Sequence, residues 1–149
     1  MQSLIDQLKV DEGFRPNVYY CSAGHLTIGY GYNIDANCLD LPENLLISFK
    51  NGGISESYAC SLLQRCVNDC IMQCEKTFNW WSKLSKNRQY AIVNMIFNIG
   101  LGGFLEFKNT IHALSNSDWN VASAELLDSK WALQVGARAQ RIATVIRKG

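Results

Sequence analysis

The sequence predicts an α+β fold, mainly α, in which a small lobe with a β-hairpin and a helical lobe are joined by a long helix. Two runs rich in Val, Tyr, Thr and Ile, 17–21 and 25–28, flank the turn Ser22-Ala23-Gly24, and this pattern is typical of a hairpin. Apolar residues recur with helical period over 56–78. Residues 86–99 are apolar on nearly every side, which predicts a helix inside a core.

The small lobe is predicted over 14–55, between a first helix and the long one. Ser3 is a suitable N-cap for the first helix, and Gly13 can adopt the left-handed conformation that ends it. After the hairpin, Gly29 and Gly31 interrupt the strand pattern. Pro42 then suits the first turn of a short helix that runs to Phe49.

The long helix 56–78 has Ser55 as its predicted N-cap and connects the two lobes. Segments 1–13 and 79–149 are assigned to the helical lobe. There, Ser85 is the predicted cap of 86–99 and Gly100 its end. Asp118 before 119–127 and Gly136 before 137–147 divide the remainder into three or four short helices.

Composition excludes several classes of protein. A chain of 149 residues is about one domain, and 48% hydrophobic with 18% charged residues is unlike a disordered chain. No apolar run reaches the roughly 18 residues of a membrane span, because Asn94 and Asn98 interrupt the stretch 91–99. The first twelve residues lack the apolar segment of a signal peptide, so we expect synthesis to end in the cytosol.

Charge and cysteine usage bear on possible partners. The net charge of +1 argues against a general nucleic-acid binder. After position 129 the chain has five basic residues and no acidic one: Lys130, Arg138, Arg141, Arg147 and Lys148. These residues form either a solvated helix face or a surface for an anionic polymer.

The six cysteines are expected to be reduced thiols. Cys66, Cys70 and Cys74 recur every four residues along one helix stripe, and this spacing does not match a zinc site. His25 and His112 have no partner at ligand spacing. We therefore expect no metal and no cofactor.

Asp11 and Glu12 form an acidic pair at the C-terminal end of the first helix, where the helix dipole disfavours negative charge. A carboxyl group kept there is a candidate general acid, although two solvated surface acids would give the same local pattern. The local sequence does not separate Asp11 from Glu12. The hairpin that follows is expected to bring Cys21 and Thr27 near this helix end.

Two stretches, Asp11–Arg15 and Leu26–Gly31, resemble the phage-type lysozymes, the T4-lysozyme-like endolysins of glycoside hydrolase family 24. The family pattern is a glutamate, eight residues, an aspartate or cysteine, five residues and a threonine, and here it falls on Glu12, Cys21 and Thr27. The resemblance extends over nearly the whole chain through Arg88, 93–100, 129–131, Gln134 and 138–141.

The resemblance implies a two-lobed lysozyme fold with the active site where the lobes meet. It also implies hydrolysis of the β-1,4 bond between N-acetylmuramic acid and N-acetylglucosamine in bacterial peptidoglycan. Glu12 would be the general acid, Cys21 would hold the position more often occupied by aspartate, and Thr27 would orient the attacking water. Arg138 matches an arginine that pairs with the catalytic glutamate.

By the same matching, a further set of residues would line the sugar cleft: Gly31, Asn33, Phe97, Asn98, Thr110, Gln134 and Glu125. The implied protein is a monomer that stays in the host bacterial cytoplasm without inserting into the membrane. A holin would give it access to the cell wall and so to host lysis.

Cys21 stands where the family more often has aspartate, and the two side chains differ in their ionisation. A carboxylate is ionised at neutral pH, whereas a free thiol with a pKa of about 8.5 is mostly neutral. If the reaction needs an anion at this position, either the pKa of Cys21 is lowered or activity rises toward alkaline pH. The alternative is an incidental cysteine, with Thr27 and water sufficient.

Two other functions remain open from the sequence. Glu12 could act alone in a lytic transglycosylase, which leaves an anhydro end instead of a reducing end. The chain could also be an inactive peptidoglycan-binding module. Tyr30 and Tyr32 are candidates for sugar contact, whereas core packing is favoured for the tryptophans Trp80, Trp81, Trp119 and Trp131.

Overall fold

The computed structural model describes residues 2–37 and 50–149. It is mainly helical with one small antiparallel sheet, which confirms the predicted fold class. The helix predicted over 42–49 lies outside the described residues. The described chain divides into two compact units, a first over Gln2–Val67 and a second over Asn68–Gly149. The lobe boundaries given above stay a prediction.

The first unit contains the sheet. Its elements in chain order are α1 Gln2–Glu12, β1 Arg15–Tyr20, β2 Leu26–Gly29, β3 Tyr32–Asn33 and α2 Ile34–Asn37. The long helix α3, Glu56–Thr77, begins in this unit and continues into the second. Ser55 caps it as predicted, because its Oγ accepts a hydrogen bond from the backbone N–H of Tyr58 at 3.2 Å.

The second unit is built from helices. A short 3₁₀ helix Trp81–Lys83 is followed by α4 Lys86–Leu105, α5 Lys108–Ser115, α6 Trp119–Leu127, α7 Lys130–Val135 and α8 Ala137–Lys148. Ser85 and Asp118 cap α4 and α6 through their side chains, as the sequence predicts. No single helix among the described residues is long and apolar enough to cross a bilayer, and only α4 and α5 together, bent by 101°, meet that criterion.

Helix α1 ends where the sequence predicts. Gly13 adopts a φ of +70° and its N–H donates to the Lys9 carbonyl at 3.1 Å, which closes the last turn. Leu4, Ile5 and Leu8 are buried, at 4%, 2% and 0% exposure. The last residue of the helix is Glu12, so the fold places this carboxyl group at the point where the chain enters the sheet.

The sheet has the order β1-β2-β3 with antiparallel pairing throughout. Its first hairpin turns at Ser22-Ala23-Gly24 as predicted, and Gly24 has a φ of +81°. Strand β3 was not expected, because it has two residues and follows two interrupting glycines. Thr27 pairs with Tyr19 on one side and with Asn33 on the other.

The sheet packs on α3 through a small core. Ile28, Tyr32, Ile34 and Leu62 are its buried members. Tyr32 is only 4% exposed, so its side chain contributes to this core. Half-buried side chains surround the cluster; they are Val18, Leu26, Ile54, Tyr58 and Cys66.

The prediction that Gly100 ends the core helix is correct in part. Gly100 has φ 74° and ψ 163°, which breaks the helical geometry within α4. Helical structure then resumes to Leu105, because Phe104 is fully buried and fixes the following segment in the core. The structure therefore shows a kinked helix where the sequence predicts an end.

Aromatic side chains fill much of the core of the second unit. Phe104 contacts Phe78 edge-on at 5.9 Å and Phe107 at 6.4 Å between ring centroids. Three of the four tryptophans, Trp80, Trp81 and Trp131, are less than 9% exposed, which confirms core packing for them. Trp119 is half-buried, with the Arg88 guanidinium 3.9 Å from its ring centroid.

Candidate active site

The two acidic residues at the end of α1 have different surroundings. Asp11 accepts a hydrogen bond from Gln7 Nε2 at 3.1 Å, one turn earlier on the same helix. Glu12 instead lies against the turn between β2 and β3: a Cβ added to Gly31 would be 3.3 Å from Glu12 Oε2. This contact with the sheet distinguishes Glu12 from Asp11. The sequence alone does not distinguish the two residues.

Cys21 lies at the start of the first hairpin turn. Its N–H donates to the His25 carbonyl at 2.9 Å, which closes the turn. The backbone N–H of His25 hydrogen-bonds the sulfur and lowers the pKa of the Cys21 thiol below its ordinary value, while desolvation opposes the shift. The N–H of Ala23 and the hydroxyl of Thr27 lower it further. The fold therefore favours the thiolate more than a free cysteine does.

Thr27 is buried in the sheet at 3% exposure. Its hydroxyl donates to the His25 carbonyl at 2.9 Å and also lies within hydrogen-bonding reach of the Cys21 sulfur. A hydroxyl has one proton to donate, so a thiolate at Cys21 competes with the carbonyl for it. Whichever acceptor takes the proton, the Thr27 oxygen keeps lone pairs that can accept from a water.

Tyr19 is a residue of this site that the motif spacing does not include. It lies directly opposite Thr27 in the sheet, and directly paired residues share a face. Burial raises the pKa of its phenol; the nearby Arg15 lowers it, whereas the charges of Glu12 and Cys21 raise it. The period of two along β1, which puts positions 19 and 21 on one face, is the signal that could have found Tyr19.

Asn33 and Gly31 complete the predicted residues of the first unit. The Asn33 Oδ1 accepts from the backbone N–H of Ala36 at 3.0 Å, so this side chain caps α2. Gly31 has a φ of +75°, a conformation that glycine adopts without strain. Contact of either residue with a sugar stays a prediction.

Arg138 of the second unit is a buried cation, with 8% of its surface exposed. Its Nε donates to Asn94 Oδ1 at 2.9 Å and its Nη2 to the Asn94 backbone carbonyl at 3.0 Å. Two oxygens of one asparagine thus hold the guanidinium in a fixed orientation. The predicted pairing of Arg138 with Glu12 stays a prediction.

The remaining predicted sugar ligands lie in the second unit and differ in accessibility. Phe97 and Glu125 are half-buried, Asn98 and Gln134 are exposed, and Thr110 is buried at 1% exposure. Asn98 Oδ1 accepts from the Trp131 indole at 2.8 Å, and Glu125 accepts from Asn109 at 2.9 Å. Within residues 2–37 and 50–149, no group of three or more His, Cys, Asp or Glu side chains could hold a metal ion.

Comparison with known proteins decides the family. The sequence profile described as "Phage lysozyme" matches residues 9–148, nearly the whole chain. The chain belongs to the phage lysozyme family. This confirms the resemblance seen in the sequence and makes the protein a lysozyme-type enzyme.

The relatives of this phage lysozyme family member come from different sources. It is 30% identical to "Probable T4-type lysozyme 2" of Dictyostelium discoideum, over 100% of this chain and 96% of that protein. It is 30% identical to an "Endolysin" of Acyrthosiphon pisum secondary endosymbiont phage 1, over 84% of this chain and 74% of that protein. It is also 30% identical to "Pre-baseplate central spike protein Gp5" of Enterobacteria phage T4, of which it spans only 28%.

Proposed function

We propose that the chain is an endolysin that hydrolyses the β-1,4 bond between N-acetylmuramic acid and N-acetylglucosamine in peptidoglycan. The observation that carries this proposal is that the charges of Glu12 and Cys21 both act on Tyr19, which pairs with Thr27 in the sheet, in a chain that the phage lysozyme profile matches over residues 9–148. Glu12, Cys21 and Thr27 supply an acid, an anion and a hydroxyl.

Glu12 is the proposed general acid. Its protonated carboxyl gives a proton to the glycosidic oxygen as the bond from that oxygen to the anomeric carbon breaks. The carboxyl group is positioned by the end of α1 and by its contact with Gly31. A fixed donor avoids reorganisation during the step, which is a large part of enzymatic acceleration.

Cys21 and Thr27 act on the other half of the reaction. Positive charge develops at the anomeric carbon as the leaving group departs, and a thiolate at Cys21 stabilises it. The Thr27 oxygen accepts a hydrogen bond from the water that adds to this carbon. The thiolate takes up the proton that the water releases, so the sugar ends with a free reducing hydroxyl.

The sugar contacts and the cellular setting belong to the same proposal. Gly31, Asn33, Phe97, Asn98, Thr110 and Gln134 contact the glycan, with Arg138 in a supporting position. The substrate lies outside the bacterial membrane, so a chain made in the host cytoplasm needs a membrane-permeabilising partner of the holin class. We propose a monomer that uses neither metal nor nucleic acid.

The products of digestion test the chemistry directly. Purified protein and a Glu12→Gln variant are incubated with isolated peptidoglycan, and the soluble fragments are read by mass spectrometry. Muropeptides with reducing ends from the unmodified protein alone support the proposal. Fragments with anhydro ends would instead identify a lytic transglycosylase. A wild type that binds peptidoglycan without releasing products would identify a peptidoglycan-binding module.

A further inference from the structure

Tyr30 is buried in the turn that joins β2 to β3. Only 5% of its surface is exposed, although it sits between two glycines with positive φ, Gly29 at +66° and Gly31 at +75°. Its hydroxyl donates a short hydrogen bond of 2.6 Å to Oε1 of Glu56, in the first turn of α3. Hydrogen bonds to a charged group are shorter and stronger than neutral ones.

The same turn is in contact with a helix at each of its glycines. A Cβ at Gly29 would be 3.0 Å from the Cβ of Ala59 on α3, and a Cβ at Gly31 would be 3.3 Å from Oε2 of Glu12 on α1. The turn therefore lies between the end of α1 and the start of α3. Tyr30, at its centre, bonds the turn to α3 through its side chain.

The ring of Tyr30 is also fixed from the side of α1. The Phe14 ring lies 5.5 Å from it at an interplanar angle of 44°, and Lys9 Nζ lies 5.7 Å from its centroid. Burial, the hydrogen bond to Glu56 and the Glu56 charge raise the pKa of Tyr30 to about 12. The phenol consequently remains a donor to Glu56 at every pH at which the protein would act.

We propose that Tyr30 and Glu56 are positioning residues for the reaction: their hydrogen bond fixes the Gly29–Gly31 turn against the Glu12 carboxyl group. The inference rests on the proposed role of Glu12 as the acid. Neither residue touches the substrate in this account. Both act through the backbone of Gly31, which forms one wall of the space that Glu12 occupies.

The physical reason lies in the two glycines. Glycine loses more conformational freedom on ordering than any other residue, so a turn that contains two of them needs an external contact to hold one conformation. A misplacement of about 1 Å in a catalytic group can lower a rate about 100-fold. The bond from Tyr30 to Glu56 prevents the turn from moving away from Glu12.

The test uses Tyr30→Phe, which keeps the ring and removes the hydroxyl. Tyr20→Phe is the matched control, because Tyr20 lies on β1 with 74% of its surface exposed. Glu56→Ala removes the acceptor, and Glu56→Gln retains an acceptor oxygen. The measurements are kcat and KM on soluble peptidoglycan fragments, well below the melting temperature of each variant, and the ¹³C resonance of the Glu12 carboxyl group.

We expect Tyr30→Phe and Glu56→Ala each to lower kcat about 10-fold with KM within about twofold of wild type. The double variant should be no worse than either single one, and Glu56→Gln should restore most of kcat. The Glu12 resonance should move in Tyr30→Phe and stay in Tyr20→Phe. A general loss of packing would not produce this split between kcat and KM or the rescue by Glu56→Gln.

Two results would overturn the inference. One is a Glu12 resonance in Tyr30→Phe that is unchanged from wild type. This result would exclude the positioning role even if the protein degrades no peptidoglycan. The other is a moved resonance with unchanged kcat. An inactive wild type would count against the proposed function, whereas an active wild type with a Tyr30→Phe variant of equal kcat counts against the positioning role alone.

Discussion

Gly31 lies directly against the carboxyl group of Glu12, so a side chain added at Gly31 would make a tight contact with this carboxyl. A Cβ at this position would be 3.3 Å from Glu12 Oε2 and 3.8 Å from its Cδ. The φ of +75° at Gly31 adds a backbone reason for glycine. The end of α1 and the turn after β2 thus define the place of the candidate acid together.

Gly31→Ala should therefore lower activity through Glu12. The added methyl displaces the carboxyl by a few tenths of an ångström, and we expect kcat to fall about 10-fold. The matched control is Gly100→Ala, with a similar φ of +74° but nothing within 4 Å of the added Cβ. Both variants should lose about 1–2 kcal/mol of unfolding free energy, measured by denaturant titration, but only Gly31→Ala should lose activity.

Cys21 should contribute to the pH dependence of the enzyme. The His25 N–H lowers the pKa of its thiol, so one limb of the pH profile should belong to Cys21 and lie below the pKa of a free thiol. Cys21→Asp should move this limb to about pH 4, the range in which a carboxyl ionises, and Cys21→Ser should abolish it. The measurement is a pH profile of kcat/KM, with Cys60→Ser as the control. Full activity after alkylation of a protein whose remaining cysteines are serine would exclude a role for the thiol.

Asn94 should matter for stability because it holds the buried guanidinium of Arg138 with two oxygens. Asn94→Ala removes the side-chain acceptor at 2.9 Å and leaves a buried charge partly unsatisfied. We expect a loss of about 2–3 kcal/mol in the free energy of unfolding. Arg147→Ala, a change at an exposed arginine, should stay within about 0.5 kcal/mol of wild type. Equal stabilities for the two variants would contradict this account.

Stability should fall as pH rises above about 8.5, where free thiols begin to ionise. Burial raises the pKa of Cys74 to about 12 and that of Cys70 to about 11, so the folded chain keeps thiol protons that the unfolded chain releases. The slope for a fully buried thiol such as Cys74 is at most about 1.4 kcal/mol per pH unit. Cys74→Ala should show a shallower decline between pH 8.5 and about 11 than wild type, although it is less stable at pH 7. Parallel curves would show that this thiol does not contribute.

Much of the fold follows from local signals in the sequence. Capping residues such as Ser55, Ser85 and Asp118 identify helix starts because a side-chain oxygen satisfies a backbone N–H locally. Gly13 and the turn 22–24 are equally local. The continuation of α4 beyond Gly100 was not predictable in this way, because it depends on burial of Phe104 in a core that other helices complete.

The candidate site shows the same limit. Spacing along the chain identifies Glu12, Cys21 and Thr27, since all three lie within the first 27 residues. The bond from Tyr30 to Glu56 joins residues 26 positions apart, and that from Arg138 to Asn94 joins residues 44 apart. Such contacts arise from tertiary packing, so no local pattern contains them.

The assignment of Glu12 as the acid can be tested by comparing a variant of Glu12 with a variant of Asp11, the residue before it. The rate at which new reducing ends appear in peptidoglycan is compared for wild type, Glu12→Gln and Asp11→Asn at equal folded concentration. We expect a loss of at least about 100-fold for Glu12→Gln and a rate near wild type for Asp11→Asn, because Asp11 bonds back to Gln7 on its own helix. A Glu12→Gln variant with the wild-type rate, or an equal loss in both variants, would contradict it.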